Sequence, residues 1–164
     1  MEKLKALFKS FYYAASGVVA TVKTERNMRI HLVCVTYMFS ILLLTDWFKL
    51  EKSDWCALIL ASALVLSGEI VNTAIENAVN LATTEYSEFA KKAKDAGSGA
   101  VLVNAVFAVI IGLVVLLQPE AFRQMHLYFS ANPLMLMLFA LSIIPATLFI
   151  FFGIPGRHNK KINK

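Results

Sequence analysis

Four long apolar runs, separated by short polar knots, dominate the chain. They cover about 28–48, 55–81, the stretch from just after Asp95 to just before Gln118, and 134–153. Each is close to the roughly 20 residues a helix needs to cross a bilayer. Residues 1–28 follow a different pattern. Leu4, Leu7, Phe8, Phe11, Ala15, Val18, Val19 and Val22 recur at helical spacing, with Lys3, Lys5, Lys9 and Ser10 among them. That periodicity predicts an amphipathic helix able to lie in the membrane interface with its lysines toward anionic head groups. Trp47, Trp55 and Tyr128 fall near the ends of the runs, where belt residues sit. Pro145 inside the fourth run is tolerable in a packed span. The stretch 118–133 reads as a loop. The fold class expected is therefore an all-α membrane protein: an interfacial N-terminal helix followed by four spans.

The second run is not uniformly apolar. Glu69, Asn72, Thr73, Glu76 and Asn80 share one helix face, while Ile70, Val71, Ile75 and Val79 occupy the other. A carboxylate inside a membrane costs a few kcal/mol unless it meets protein, water or a counter-ion, so a stripe carrying two of them points to function. A polar helix–helix contact is the plain alternative.

Charge supplies a direction. The 164 residues are 58% hydrophobic and only 16% charged, with a net charge of +5. This profile excludes an ordinary soluble domain, and the placement of the charge argues for membrane topology rather than nucleic acid. With the N-terminus inside, thirteen of the sixteen lysines and arginines fall on the cytoplasmic side, counting Arg157, Lys160, Lys161 and Lys164 of the tail. The positive-inside rule thus places both termini in the cytoplasm. The second span then descends from Trp55, with Glu69 roughly 21 Å down and Glu76 about 10 Å further, near the inner interface. No cleavable signal is visible. Cys34 and Cys56 lie in apolar runs and read as buried free thiols.

Chemistry gathers at that inner end. Thr83, Thr84, Glu85, Tyr86, Ser87 and Glu88 offer acceptors and a ring, and Lys91, Lys92 and Lys94 suit phosphate as point charges. Asp95 is expected to cap the third span's helix, and Gly97, Ser98, Gly99 and Ala100 allow another backbone to approach. Carboxylates beside phosphate-binding lysines suggest Mg²⁺, which is held by one or two carboxylates plus substrate phosphates; Glu25 and Glu76 are the acids nearest the inner interface. Glu69, set in an apolar layer, suits a general base near neutral pH. No Walker A, glycine-rich kinase loop or Asp-Phe-Gly occurs, and His31, His126 and His158 are too scattered for a nucleophilic triad.

The ordered set Glu69, Asn72, Glu76, then Glu85 and Tyr86, then Lys94 and Asp95 with Gly97 to Val101, resembles the prokaryotic integral-membrane diacylglycerol kinase family. The knot Thr24, Glu25, Arg26, Asn27, Met28, Arg29, Ile30, His31 resembles its undecaprenol kinase branch. The resemblance covers about residues 8–117. It implies a homotrimer of three-span protomers with active sites between subunits, in the cell inner (plasma) membrane, transferring the γ-phosphate of Mg-ATP to a lipid hydroxyl. Matched residue by residue, Glu69 would be the base on the lipid hydroxyl and Asn72 would steady the transferring phosphate. Glu25 and Glu76 would hold Mg²⁺. Tyr13, Glu85, Tyr86, Ser87, Lys94 and Asp95, with Glu25 and Glu76, would line the nucleotide site, and Ser98 would lie toward the lipid.

Three departures stand out. Ala6 occupies the place of the family's N-terminal arginine, leaving Lys5 or Lys9 to substitute. Asn80 replaces an aspartate. A fourth span follows the family core, so the chain divides into a kinase-like membrane domain, 1–117, and an extra transmembrane helix with a basic cytoplasmic tail, 118–164. The expected activity is a lipid kinase acting on undecaprenol, with diacylglycerol as the alternative acceptor. A non-enzymatic transporter or assembly protein, using Glu69 and Glu76 as a cation relay, is the competing class.

Overall fold

The computed structural model describes residues 1–153, all helix and connecting turns. The basic tail with Arg157, Lys160, Lys161 and Lys164 lies outside the described residues, as does His158. Six helices follow in order: α1 (Glu2–Thr24), α2 (Arg26–Leu44), α3 (Lys52–Ala82), α4 (Glu88–Leu116), α5 (Pro119–Ala131) and α6 (Pro133–Phe152). Of these, α2, α3, α4 and α6 are long and apolar enough to cross a bilayer. The protein is an all-α membrane protein with the four expected spans.

Three boundaries differ from the sequence reading. The amphipathic helix stops at Thr24 instead of running to 28, because Glu25 is extended and serves both as the end of α1 and the start of α2. Residues 118–133 are not a loop: Pro119 opens α5, where its missing N–H and fixed φ suit the first helical turn. Asp95 caps nothing. It lies two turns inside α4, whose start is set by Ser87; the Ser87 hydroxyl accepts from the Ala90 N–H at 3.5 Å.

The core is the α3–α4 hairpin, against which α1 and α2 pack. With 31 and 29 residues, α3 and α4 span about 46 and 43 Å, so their ends project beyond a hydrocarbon layer of roughly 30 Å. Two small residues let them approach. A Cβ at Gly68 would stand 3.0 Å from the Asn104 amide, which donates to the Leu64 carbonyl of α3. A Cβ at Gly97 would stand 2.6 Å from Asn72 Oδ1. At the other end of the hairpin a capping box of Glu51 and Asp54 opens α3. There the Gln118 side chain both donates to the Lys49 carbonyl and accepts its N–H, joining the two loops.

The last helix, α6, packs along α2 through Phe139, Ser142, Ile150 and Gly153, and the half-buried Ala146 and Phe149 share that helix face. Tyr37 and Ser142 share a 2.7 Å hydroxyl bond across that contact, and the Tyr37 and Phe139 rings meet edge to face. Cys34 and Cys56 are free but exposed rather than buried, because they stand on helix faces without a neighbour.

Candidate active site

The acidic stripe of α3 faces protein. Glu69 is 2% exposed and Asn72 9%, while Glu76, two turns nearer the α3–α4 turn, is half-buried. Helical spacing alone puts the three on one side. What encloses Glu69 comes from α2. His31 Nε2 lies 3.4 Å from Glu69 Oε1, close enough for an ion pair but not aligned as a hydrogen bond, and Glu69 Oε1 has no hydrogen-bond partner among the described residues. The imidazole is the more open of the two, with 24% of its side chain exposed against 3% for Glu69.

Toward the α3–α4 turn, Asn72 Nδ2 donates to Glu76 Oε1 at 3.0 Å. That bond fixes the amide's orientation and leaves Asn72 Oδ1 buried and unpartnered, pressed against Gly97 of α4. A buried amide oxygen without a partner is costly, and such orphans cluster where a ligand completes the network. Glu25 stands at the α1–α2 break, six positions before His31. Neither Glu25 nor Glu76 pairs with a cation among the described residues.

Beyond the stripe, Glu85, Tyr86, Ser87, Ala90, Lys91, Lys94 and Asp95 line a recess of about 240 Å³. Lys94 Nζ donates to Asn80 Oδ1 at 2.8 Å, and Lys91 pairs with Asp95 at 3.3 Å one turn away on α4. Asn80 thus holds Lys94 by a neutral oxygen. Tyr13 does not line this recess. Its ring is 59% exposed on α1, with Lys9 Nζ 5.7 Å from its centroid. Ser98 is exposed on α4, one residue beyond the buried Gly97. The structure therefore joins Glu69, Asn72 and Glu76 closely, gathers Glu85 to Asp95 into one recess, and leaves Tyr13 and Ser98 outside both.

Glu76 and the orphaned Asn72 oxygen beside it are donors of the kind a hard divalent cation takes together with phosphate oxygens. No group of three or more metal-ligating side chains is closed among the described residues. A larger cleft, about 890 Å³, lies elsewhere, between α2, α5 and α6 around Trp47, Tyr128 and Phe139, and is lined by none of Glu25, Glu69 and Glu76.

A helical membrane protein with an acid-lined face beside a lysine-bearing recess is what these features define. Residues 12–116 match the model of the prokaryotic diacylglycerol kinase family, and the chain belongs to that family. It is 38% identical over 115 residues to the undecaprenol kinase of Bacillus subtilis (strain 168), covering 70% of this chain and 91% of that protein. Over 114 residues it is 40% identical to a diacylglycerol kinase of Synechocystis, covering 69% of this chain and 63% of that protein, under two thirds of that relative's length. It is 33% identical over 107 residues to a diacylglycerol kinase of Helicobacter pylori (strain 26695), covering 81% of that protein. The chain is accordingly a membrane lipid kinase that uses ATP, not a transporter.

His31 is the member of the site that sequence reasoning passed over. It belongs to the polar knot that set the branch resemblance, but its partner lies 38 positions away on another helix.

Proposed function

We propose that this kinase phosphorylates undecaprenol, giving undecaprenyl phosphate. The observation that carries this reading is His31 set against Glu69, because the histidine comes from the knot of residues 24–31 that resembles the undecaprenol kinase branch. The relative whose length the match covers to 91% is named an undecaprenol kinase. Diacylglycerol is the second reading, supported by the names of the Synechocystis and Helicobacter relatives.

The roles follow from placement. Glu69 takes the proton from the lipid hydroxyl, whose oxygen bonds to the γ-phosphorus as the bond to ADP breaks. His31, more exposed than Glu69, orients that carboxylate and connects it to water. Asn72 steadies the transferring phosphate by donating from its amide nitrogen, whose orientation the bond to Glu76 fixes. Glu25 and Glu76 would hold Mg²⁺, which would neutralise phosphate charge. Glu85, Tyr86, Ser87, Lys94 and Asp95 bind the nucleotide; Tyr13, outside the recess of its own chain, joins them in a site completed by a neighbouring subunit, and Ser98 faces the lipid. Phosphoryl transfer relies mostly on positioning and charge neutralisation, which these groups supply.

The recess of about 240 Å³ falls below the roughly 300–1,000 Å³ of small-molecule sites, so one chain holds only part of a nucleotide. Ile59, Leu60, Leu64 and Val71 on α3 are about half or more exposed, and α4 packs on α3 alone among the described residues. Both features leave room for a site completed between subunits, as in the homotrimer that the family resemblance implies. Residues 1–117 form the kinase domain and 118–164 an appended span and tail. The lysine and arginine distribution supports an inner-membrane location with both termini cytoplasmic.

The test is competition. Purified protein in vesicles carrying equal undecaprenol and diacylglycerol, given Mg-ATP, should release mostly undecaprenyl phosphate. Phosphatidic acid as the sole product would transfer the assignment to the second reading.

A further inference from the structure

We infer that the fourth span is a positioning element for the kinase site, acting through Arg29. This rests on the reading that Glu25 belongs to the nucleotide and metal side of that site.

Arg29 is 6% exposed, and no carboxylate pairs with it among the described residues. Its guanidinium bonds to backbone instead. Nη1 donates to the carbonyls of Val22 and Lys23 at 3.0 and 3.1 Å, and Nε donates to that of Ile150 at 3.0 Å. All three acceptors lie in the last turns of α1 and α6, where helix carbonyls lack partners within their own helix and the helix dipole is negative. One buried cation thus closes two helix ends at once. The fit on the α6 side is specific. Gly153 ends α6 at φ +67, and a Cβ there would stand 3.3 Å from Arg29 Nη1.

Glu25 stands at the pivot of this clasp. It is the single extended residue between α1 and α2, so the angle between those helices sets where its carboxylate points. Its carbonyl accepts the Arg29 N–H in the first turn of α2. Arg29 holds the angle by tying the last turn of α1 to the first turn of α2, and α6 holds Arg29. The family match ends at residue 116, so the brace comes from a part of the chain that the family core does not include. The Tyr37–Ser142 bond and the helix face through Ala146 keep α6 seated against α2.

The test uses full-length protein. Ala146→Phe wedges α6 away from α2, and Tyr37→Phe removes the hydroxyl bond with little change of shape. Two measurements are made on each, alone and combined with Arg29→Gln. One is steady-state kinetics against Mg-ATP and against lipid. The other is hydrogen exchange of the 22–29 backbone without nucleotide. Ala146→Phe should raise the KM for Mg-ATP about fivefold, the low end of site–site coupling, with the lipid KM unchanged. Exchange at 22–29 should quicken, less so in Tyr37→Phe, and Arg29→Gln should absorb the effect of either variant. Unchanged exchange in both variants, or effects that simply add to those of Arg29→Gln, would overturn the inference. Exchange needs no turnover. A protein that phosphorylated no lipid would defeat the site reading while still reporting whether α6 braces the corner.

Discussion

His31 Nε2 on the first span stands 3.4 Å from Glu69 Oε1 on the second, deep on the side of the bundle where the acids gather. A buried carboxylate in a span needs a companion, and this one has an imidazole rather than a lysine or arginine. A full-time cation would bind the carboxylate too tightly for a base; a histidine can orient it and exchange protons.

His31→Phe keeps the ring's bulk and removes both nitrogens. We expect kcat to fall about tenfold, less than the roughly 10²–10⁴-fold of a direct acid–base group because His31 acts through Glu69, with the KM for ATP nearly unchanged. Steady-state assays varying each substrate separate the two constants.

Gly97→Ala places a methyl carbon 2.6 Å from Asn72 Oδ1. The amide must swing away from Glu76, so activity should drop sharply, and overpacking should cost about 1–3 kcal/mol of stability. Adding Asn72→Ala should restore the melting temperature without restoring turnover. Thermal unfolding and activity of the single and double variants check this.

Lys94→Ala removes the ammonium from the recess. The expected result is a several-fold higher KM for ATP and an unaltered KM for lipid, since a point charge on phosphate serves the nucleotide. Initial rates over a range of ATP concentrations measure it.

On α5, outside the spans, hydrogen bonds from Arg123 and then Gln124 hold the Glu120 carboxyl at about 2. A lowered folded value means that its contribution is complete above the ordinary carboxylate range and disappears as pH falls through about 2. The pair is fully exposed, so Glu120→Gln should leave activity and melting temperature at neutral pH almost unaltered. A carboxyl titration followed by NMR should find the midpoint below the ordinary carboxylate range.

The spans could be read from the sequence because a bilayer demands long apolar runs, and α2, α3, α4 and α6 supply them. The shared face of Glu69, Asn72 and Glu76 was equally legible, since helix periodicity is local. What lay hidden depends on other helices. Nothing near His31 marks Glu69 as its neighbour, and the small residue at 97 did not reveal that Asn72 fills the space beside it. Glu25 breaks a periodic stretch that continues across it, so the helix boundary was read four residues late. Asp95 is a good capping type, yet Ser87 starts the helix a full two turns earlier. Arg29 was read as a topology signal, and its three backbone acceptors could be found only once α1 and α6 were in place.

The central claim is that the stripe on α3 divides its work, with Glu69 taking the proton and the groups nearer the turn holding the nucleotide. Glu69→Gln tests it most directly, by transfer of labelled phosphate to undecaprenol alongside equilibrium binding of ATP. The account predicts turnover lowered about a hundredfold or more, the scale of a missing general base, with ATP binding largely intact. A variant that kept a near-normal rate, or lost ATP binding together with turnover, would contradict it.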